Sequence, residues 1–243
     1  MTPMAVTFCP MMTTWKVTKT TPESVTQWDR LFHRIAQAIG ADFQAGVNQI
    51  LPEGEDADAP FHVLVSTLIS LRTRDEVTIP ASRRLLTEAP DAPSLAELSE
   101  ARIQELIYPA GFYKNKAKNL KEIGRILATE EGGAVPNTRE RLTALPGVGP
   151  KTANLVLGLG FGIDAICVDT HVHRIPNRLG WISTKTPEES ETALMRILPE
   201  KFWISINQLL VGFGQQICTP VSPRCGACPL AGECPQIGVT HHR

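Results

Sequence analysis

The stretch Leu145–Pro146–Gly147–Val148–Gly149–Pro150 constrains this chain more than any other. Two prolines and two glycines so close together suit neither a helix interior nor a central strand. Helix-forming runs flank them, Thr138–Ala144 before and Lys151–Gly158 after. The pattern predicts two helices joined by a tight corner, a helix-hairpin-helix. Glycine permits positive φ and a close backbone approach, and the first turn of the second helix leaves its N–H groups unpaired. Such a corner is an anion site, and phosphate is the obvious anion. Gly147, Val148 and Gly149 are expected to offer amides to it. An ordinary αα corner is the alternative at this level. Lys151 stands where the second helix starts, and Asp169 opens a further helix-like run. A lysine and an aspartate beside a phosphate-binding turn point to chemistry on nucleic acid.

The rest of the chain reads as helices with almost no strand signal, so the expected fold class is all-α. Thr21–Pro22–Glu23 reads as a helix start, with Val25, Trp28, Phe32, Ile35 and Ile39 on one face and Gly40 as the stop. Asp58–Ala59–Pro60 opens a second helix that buries Phe61, Leu64, Val65, Leu68 and Ile69. Arg72–Asp75 interrupts it, and Asp75 is the expected cap of the next helix, which contains Pro80. Ser94–Glu100 and Arg102–Leu106 read as short helices, and Thr186–Pro187–Glu188–Glu189 has the form of a capping box. The 243 residues, 42 % hydrophobic, suffice for two lobes, and no apolar run reaches membrane-spanning length. Residues 1–20 carry no secretory pattern and read as a flexible tail.

A net charge of −1 argues against a globally basic nucleic-acid binder. Phe112–Arg125 is locally basic, with Lys114, Lys116, Lys118, Lys121 and Arg125 against Glu122. A solvated helix face accounts for it equally well. Cys218, Cys225, Cys228 and Cys234 form a C-x6-C-x2-C-x5-C array. Four thiolates suit a tetrahedral zinc or a [4Fe–4S] cluster, and two disulfides are a third possibility. Cys167 reads as a buried small side chain.

The LPGVGPK hairpin, the VDTHVHR segment at Val168–Arg174 and the cysteine array, in this order, resemble the endonuclease III family of DNA-repair glycosylases. The resemblance runs from about Pro22 to Pro235. It implies two helical lobes with a DNA cleft between them: a six-helix barrel with the helix-hairpin-helix at 51–162, and a cluster domain made of 21–50 and 163–243. It also decides the metal in favour of a [4Fe–4S] cluster on Cys218, Cys225, Cys228 and Cys234.

By the same resemblance, Lys151 is the nucleophile and Asp169 its acidic partner. The lysine must be a free amine to attack the sugar and form a Schiff base, and the damaged base must leave the stack. From the residues alone, Lys151 reads equally well as a phosphate-binding lysine and Asp169 as an N-cap. Family position puts Phe112 where a side chain wedges into the stack, Arg72 where a glutamine usually enters the duplex, and His171 near the site. Lys116 would lie along the DNA backbone, and Arg224 would contact a phosphate. Arg72 and Pro176 depart from the family pattern, Pro176 inside a segment normally helical. The implied protein is a bifunctional glycosylase and apurinic/apyrimidinic lyase for oxidised pyrimidines. It would act as a monomer on duplex DNA, away from membranes, in a prokaryotic cytoplasm at the nucleoid. The alternatives are a mismatch-specific thymine glycosylase, a damage-binding paralogue with little catalysis, and an iron–sulfur redox module.

Overall fold

A computed structural model describes residues 5–6, 17–18, 26–40, 43–44, 46–51 and 59–243. The chain divides into two compact units, one spanning 46–165 and the other combining 1–45 with 166–243. The expected boundaries at 51 and 162 fall a few residues inside the first of these. Ala5–Val6 and Val17–Thr18 pair antiparallel, within the stretch expected to be a tail. Every other regular element among the described residues is helical.

In the continuous unit, α2 (Ala59–Ser70) buries Phe61, Leu64, Val65, Leu68 and Ile69 as the spacing predicts, and Val63, Ser66 and Thr67 as well. A helix apolar on most sides is a core helix, and α2 is the one around which this unit packs. Its α3 (Asp75–Glu88) differs from expectation. Arg74 occupies the N-cap without a side-chain bond, and Asp75 and Glu76 lie in the first turn, where they complement the positive end of the helix dipole. Pro80 is accommodated inside α3. The short helix expected from Ser94 begins earlier, as α4 (Ala92–Glu97), because the Asp91 side chain caps it by accepting from the Ser94 N–H at 2.8 Å. Helix α5 (Glu100–Ile107) and the long α6 (Tyr113–Glu130) complete this layer around Leu95, Ile103, Leu120, Ile123 and Leu127. The hairpin follows: α7 (Arg139–Ala144), capped by Thr138, then α8 (Pro150–Leu155). The expected helix to Gly158 changes geometry partway, because Val156–Gly160 winds as a π-helix.

The discontinuous unit is built on α1 (Gln27–Ile39), α9 (Thr170–Arg178), α10 (Pro187–Ile197) and α11 (Ser205–Gln216). Helix α1 starts from Thr26, in a reciprocal capping box with Asp29. The expected start at Thr21 lies outside the described residues. Phe32, Ile35, Val172, Ile175, Leu194, Phe202, Leu209 and Phe213 form the core, with the Phe32 and Phe202 ring centres 4.3 Å apart. Asp29 is buried and accepts from Lys201 Nζ at 2.6 Å. Thr186 caps α10, but Glu189 returns to the Lys185 N–H (2.7 Å), so the expected box closes one residue further back. Pro176 lies within α9 without ending it. No helix among the described residues is long and apolar enough to cross a membrane.

Candidate functional site

Gly147 makes the hairpin corner possible. Its φ is +77°, and a Cβ there would lie 2.4 Å from Asn119 Nδ2. The turn closes through the Val148 N–H, which donates to the Leu145 carbonyl at 3.1 Å. This corrects one expectation: Val148 is buried and its amide is already used. Gly149 is the N-cap of α8, and open space surrounds the position of its missing Cβ. The first helical hydrogen bond comes from the Ala153 N–H to the Gly149 carbonyl (2.9 Å). The amides of Lys151 and Thr152 are therefore the orphan donors of the first turn. The Lys151 side chain is exposed at this helix start.

Asp169 is the N-cap of α9, and Oδ1 accepts from the His171 N–H at 2.9 Å and the Val172 N–H at 2.8 Å. Oδ2 accepts no hydrogen bond from any described residue. The cap thus uses one oxygen of this carboxylate. His171 turns Nδ1 towards Arg174 (Nη2 at 3.1 Å) and packs where Gly214 of α11 has no side chain. The same Arg174 Nη2 donates to the Cys218 carbonyl at 2.9 Å.

Arg72 and Phe112 are exposed and both hold left-handed backbone conformations, at φ 53° and 57°. The Arg72 guanidinium lies over the Phe112 ring, 5.6 Å from its centre. Lys116 is placed otherwise than the sequence suggests. It is 8 % exposed, and its ammonium donates to the carbonyls of Ile69 (2.6 Å) and Leu71 (2.6 Å) and to Thr73 Oγ1 (2.8 Å). Its three N–H groups are thereby engaged, so it does not lie along a DNA backbone. Burial pushes the Lys116 ammonium down to about 8. Lys121 binds the Ala96 carbonyl, and Arg125 pairs with Glu122 and Glu130. Lys114 and Lys118 are the lysines of this run that remain exposed.

The four cysteines line one cavity, together with Arg178 and Phe213, and none is in a disulfide. Four thiols around one cavity are a donor set that a [4Fe–4S] cluster can take. Burial and the neighbouring thiols raise the Cys225 and Cys228 pKa values, because thiolates cannot crowd together there without a compensating cation. Main-chain N–H groups of Leu230 and Gln236 donate to Cys228 Sγ and Cys234 Sγ, each at 3.4 Å. Arg178 spans the loop, with Nη1 3.5 Å from Cys218 Sγ and 2.7 Å from the Thr219 carbonyl, and Nη2 2.6 Å from the Pro220 carbonyl. Sequence reading did not assign this role, though Arg178 follows Arg174 by one helical turn. Arg224 is exposed at the head of the Cys225–Ala227 turn. Cys9 lies outside the described residues.

Residues 65–200 match the family model of the HhH-GPD superfamily base excision DNA repair proteins, and residues 218–234 match the iron-sulfur binding domain of endonuclease III. The chain is 48 % identical over 183 residues to endonuclease III of Thermotoga maritima, covering 75 % of this chain and 86 % of the relative. It is 46 % identical to mouse endonuclease III-like protein 1 over 178 residues, covering 72 % and 59 %. Among solved structures, a trapped endonuclease III–DNA covalent intermediate in an estranged-adenine complex aligns with a TM-score of 0.74 and 31 % identity, covering 87 % of this chain and 97 % of that one. A thermostable thymine-DNA glycosylase at 24 % identity and TM-score 0.71 shares the fold. Family match, identity and iron-sulfur module together make this chain a member of the endonuclease III family, a base-excision DNA glycosylase/lyase with a [4Fe–4S] cluster.

Proposed function

We propose that the chain excises oxidised pyrimidines such as thymine glycol from duplex DNA and then cuts the strand at the resulting site. Lys151 Nζ forms a bond to the sugar C1′ as the glycosidic bond breaks and the base departs with a proton. The ring opens to a Schiff base. Loss of a C2′ proton then expels the 3′ phosphate by β-elimination. Asp169, through Oδ2, stabilises the positive charge that develops on the sugar and moves protons. Gly149 and the first-turn amides of α8 hold a phosphate. Arg72 and Phe112 enter the duplex where the nucleotide leaves it, and Arg224 contacts a neighbouring phosphate. As part of the same proposal, the protein works as a monomer on the DNA of a prokaryotic cytoplasm.

The observation that carries this reading is the exposed Lys151 at the start of α8, directly after the glycine corner. The test is borohydride reduction in the presence of a duplex containing thymine glycol. A covalent adduct is expected with the wild-type chain and none with Lys151→Ala. Tight binding without any wild-type adduct would instead indicate a damage-binding protein. Sedimentation with and without the duplex tests the stoichiometry.

A further inference from the structure

Helix α2 ends at Ser70, so its last carbonyls have no helical partner. Lys116, in the first turns of α6, supplies one. A cation at a helix C-terminus is favoured by the dipole, and here it also reaches past the helix end to Leu71 and Thr73. Thr73 Oγ1 accepts a second hydrogen bond, from the Gly111 N–H at 3.0 Å. A Cβ on Gly111 would lie 2.6 Å from the Arg72 carbonyl oxygen. The turn after α2 and the loop before α6 are thus pinned together by Lys116 and Thr73. Arg72 projects from one and Phe112 from the other, each in a conformation that side-chain-bearing residues seldom adopt.

We infer that Lys116, with Thr73, is the positioning residue of the duplex-entering pair, holding Arg72 and Phe112 stacked and in their left-handed conformations before DNA arrives. Neither residue touches substrate in this role. The benefit is preorganisation: a wedge already in shape loses less freedom on entering the duplex than two independent loops would. The inference rests on the reading that Arg72 and Phe112 enter the duplex.

The experiment measures single-turnover rates on two DNAs. One is a duplex with thymine glycol, bearing 2-aminopurine beside the lesion to report unstacking. The other is a single strand with an abasic site, which has no stack to open. Lys116→Met is expected to slow duplex excision at least tenfold and to weaken the 2-aminopurine signal, with strand cutting on the single strand within about twofold of wild type. Thr73→Val, which keeps the side chain's shape, is expected to fall in the same direction by less. Combined with Phe112→Ala, Lys116→Met should add little to the loss from Phe112→Ala alone. Unchanged duplex excision in both variants overturns the inference. So do equal losses on both DNAs, which would mean general damage to the fold, and so does a double variant whose losses multiply. If Phe112→Ala and Arg72→Ala leave duplex excision intact, the entry reading itself is wrong and the inference falls with it. If those two are impaired and Lys116→Met is not, the entry reading survives alone.

Discussion

The guanidinium carbon of Arg72 sits 5.6 Å from the centre of the Phe112 ring, and both residues have positive φ. A guanidinium can only donate hydrogen bonds. Facing the base left without a partner, it suits guanine, whose O6 and N7 both accept, better than adenine, which pairs an acceptor with a donor. Thymine glycol opposite guanine should therefore be excised roughly tenfold faster than opposite adenine, a difference of about 1.4 kcal/mol. Arg72→Gln, whose amide both donates and accepts, should narrow or invert this ratio. An identical ratio in both proteins would show that Arg72 does not read the opposite base.

Asp169 serves as a cap through Oδ1 and is proposed to act chemically through Oδ2. Asparagine caps a helix about as well as aspartate. Asp169→Asn should keep its thermal midpoint within a few degrees of wild type while losing about a hundredfold or more in excision rate. Asp169→Ala should lose about 1 kcal/mol of stability as well. Thermal melts and single-turnover kinetics on the same preparations separate the two functions.

The two corner glycines should respond differently to a methyl group. Gly147→Ala forces alanine into positive φ and against Asn119, at a cost of about 1–2 kcal/mol. Gly149 has a normal backbone and open space, so Gly149→Ala should cost less than about 1 kcal/mol. Its methyl would stand where the phosphate approaches. Affinity should drop several-fold for damaged and undamaged duplexes alike, since a backbone contact carries no sequence information. Fluorescence anisotropy on both DNAs measures this.

Acid should weaken the discontinuous unit through Asp29. Burial raises its pKa, but hydrogen bonds from Lys201 and Thr26 and the Lys201 charge outweigh that, leaving it below the ordinary 3.8. A carboxylate lowered on folding contributes stability that is fully present above its unfolded pKa and is lost as pH falls through the folded value. Urea melts should show stability falling below about pH 4, with a flatter profile in Asp29→Asn. Lys201→Met leaves a buried carboxylate held by Thr26 alone and should cost about 1 kcal/mol at neutral pH.

Arg178 holds the loop that begins the cysteine array. Arg178→Ala removes three contacts and should lower stability by about 1–3 kcal/mol. It also withdraws a positive charge and a donor from Cys218 Sγ, which should shift the cluster's reduction potential downward. Melting curves and voltammetry of the loaded protein test the two consequences separately.

Local spacing carried a good deal of this protein in the sequence. The cysteines, the glycine corner, the buried face of α2 and the Asp169 cap depend on neighbours a few residues away, so their pattern is visible in one dimension. Lys116 was misread because a run of lysines shows its charge but not the carbonyls of a helix more than forty residues earlier in the chain. Val148 was misread because a Gly-Val-Gly string does not reveal which amide closes the turn. Thr26 caps α1 in a reciprocal pair with Asp29, a partner three residues along the chain. Pro80 and Pro176 stand out in the sequence as unusual inside helices, yet α3 and α9 both continue past them.

The unit that carries the hairpin is one unbroken segment, 46–165, while its companion is assembled from sequence on either side of it. Translation proceeds from the N-terminus, and domains fold as they emerge. The hairpin unit can therefore mature on the ribosome while Gln27–Ile39 waits, amphipathic and uncovered, for α9 and α11 to be made. All four cysteines come later still. The cysteines that line the cavity are thus made after every helix that carries the two cores, so the discontinuous unit can close only once the hairpin unit is already complete.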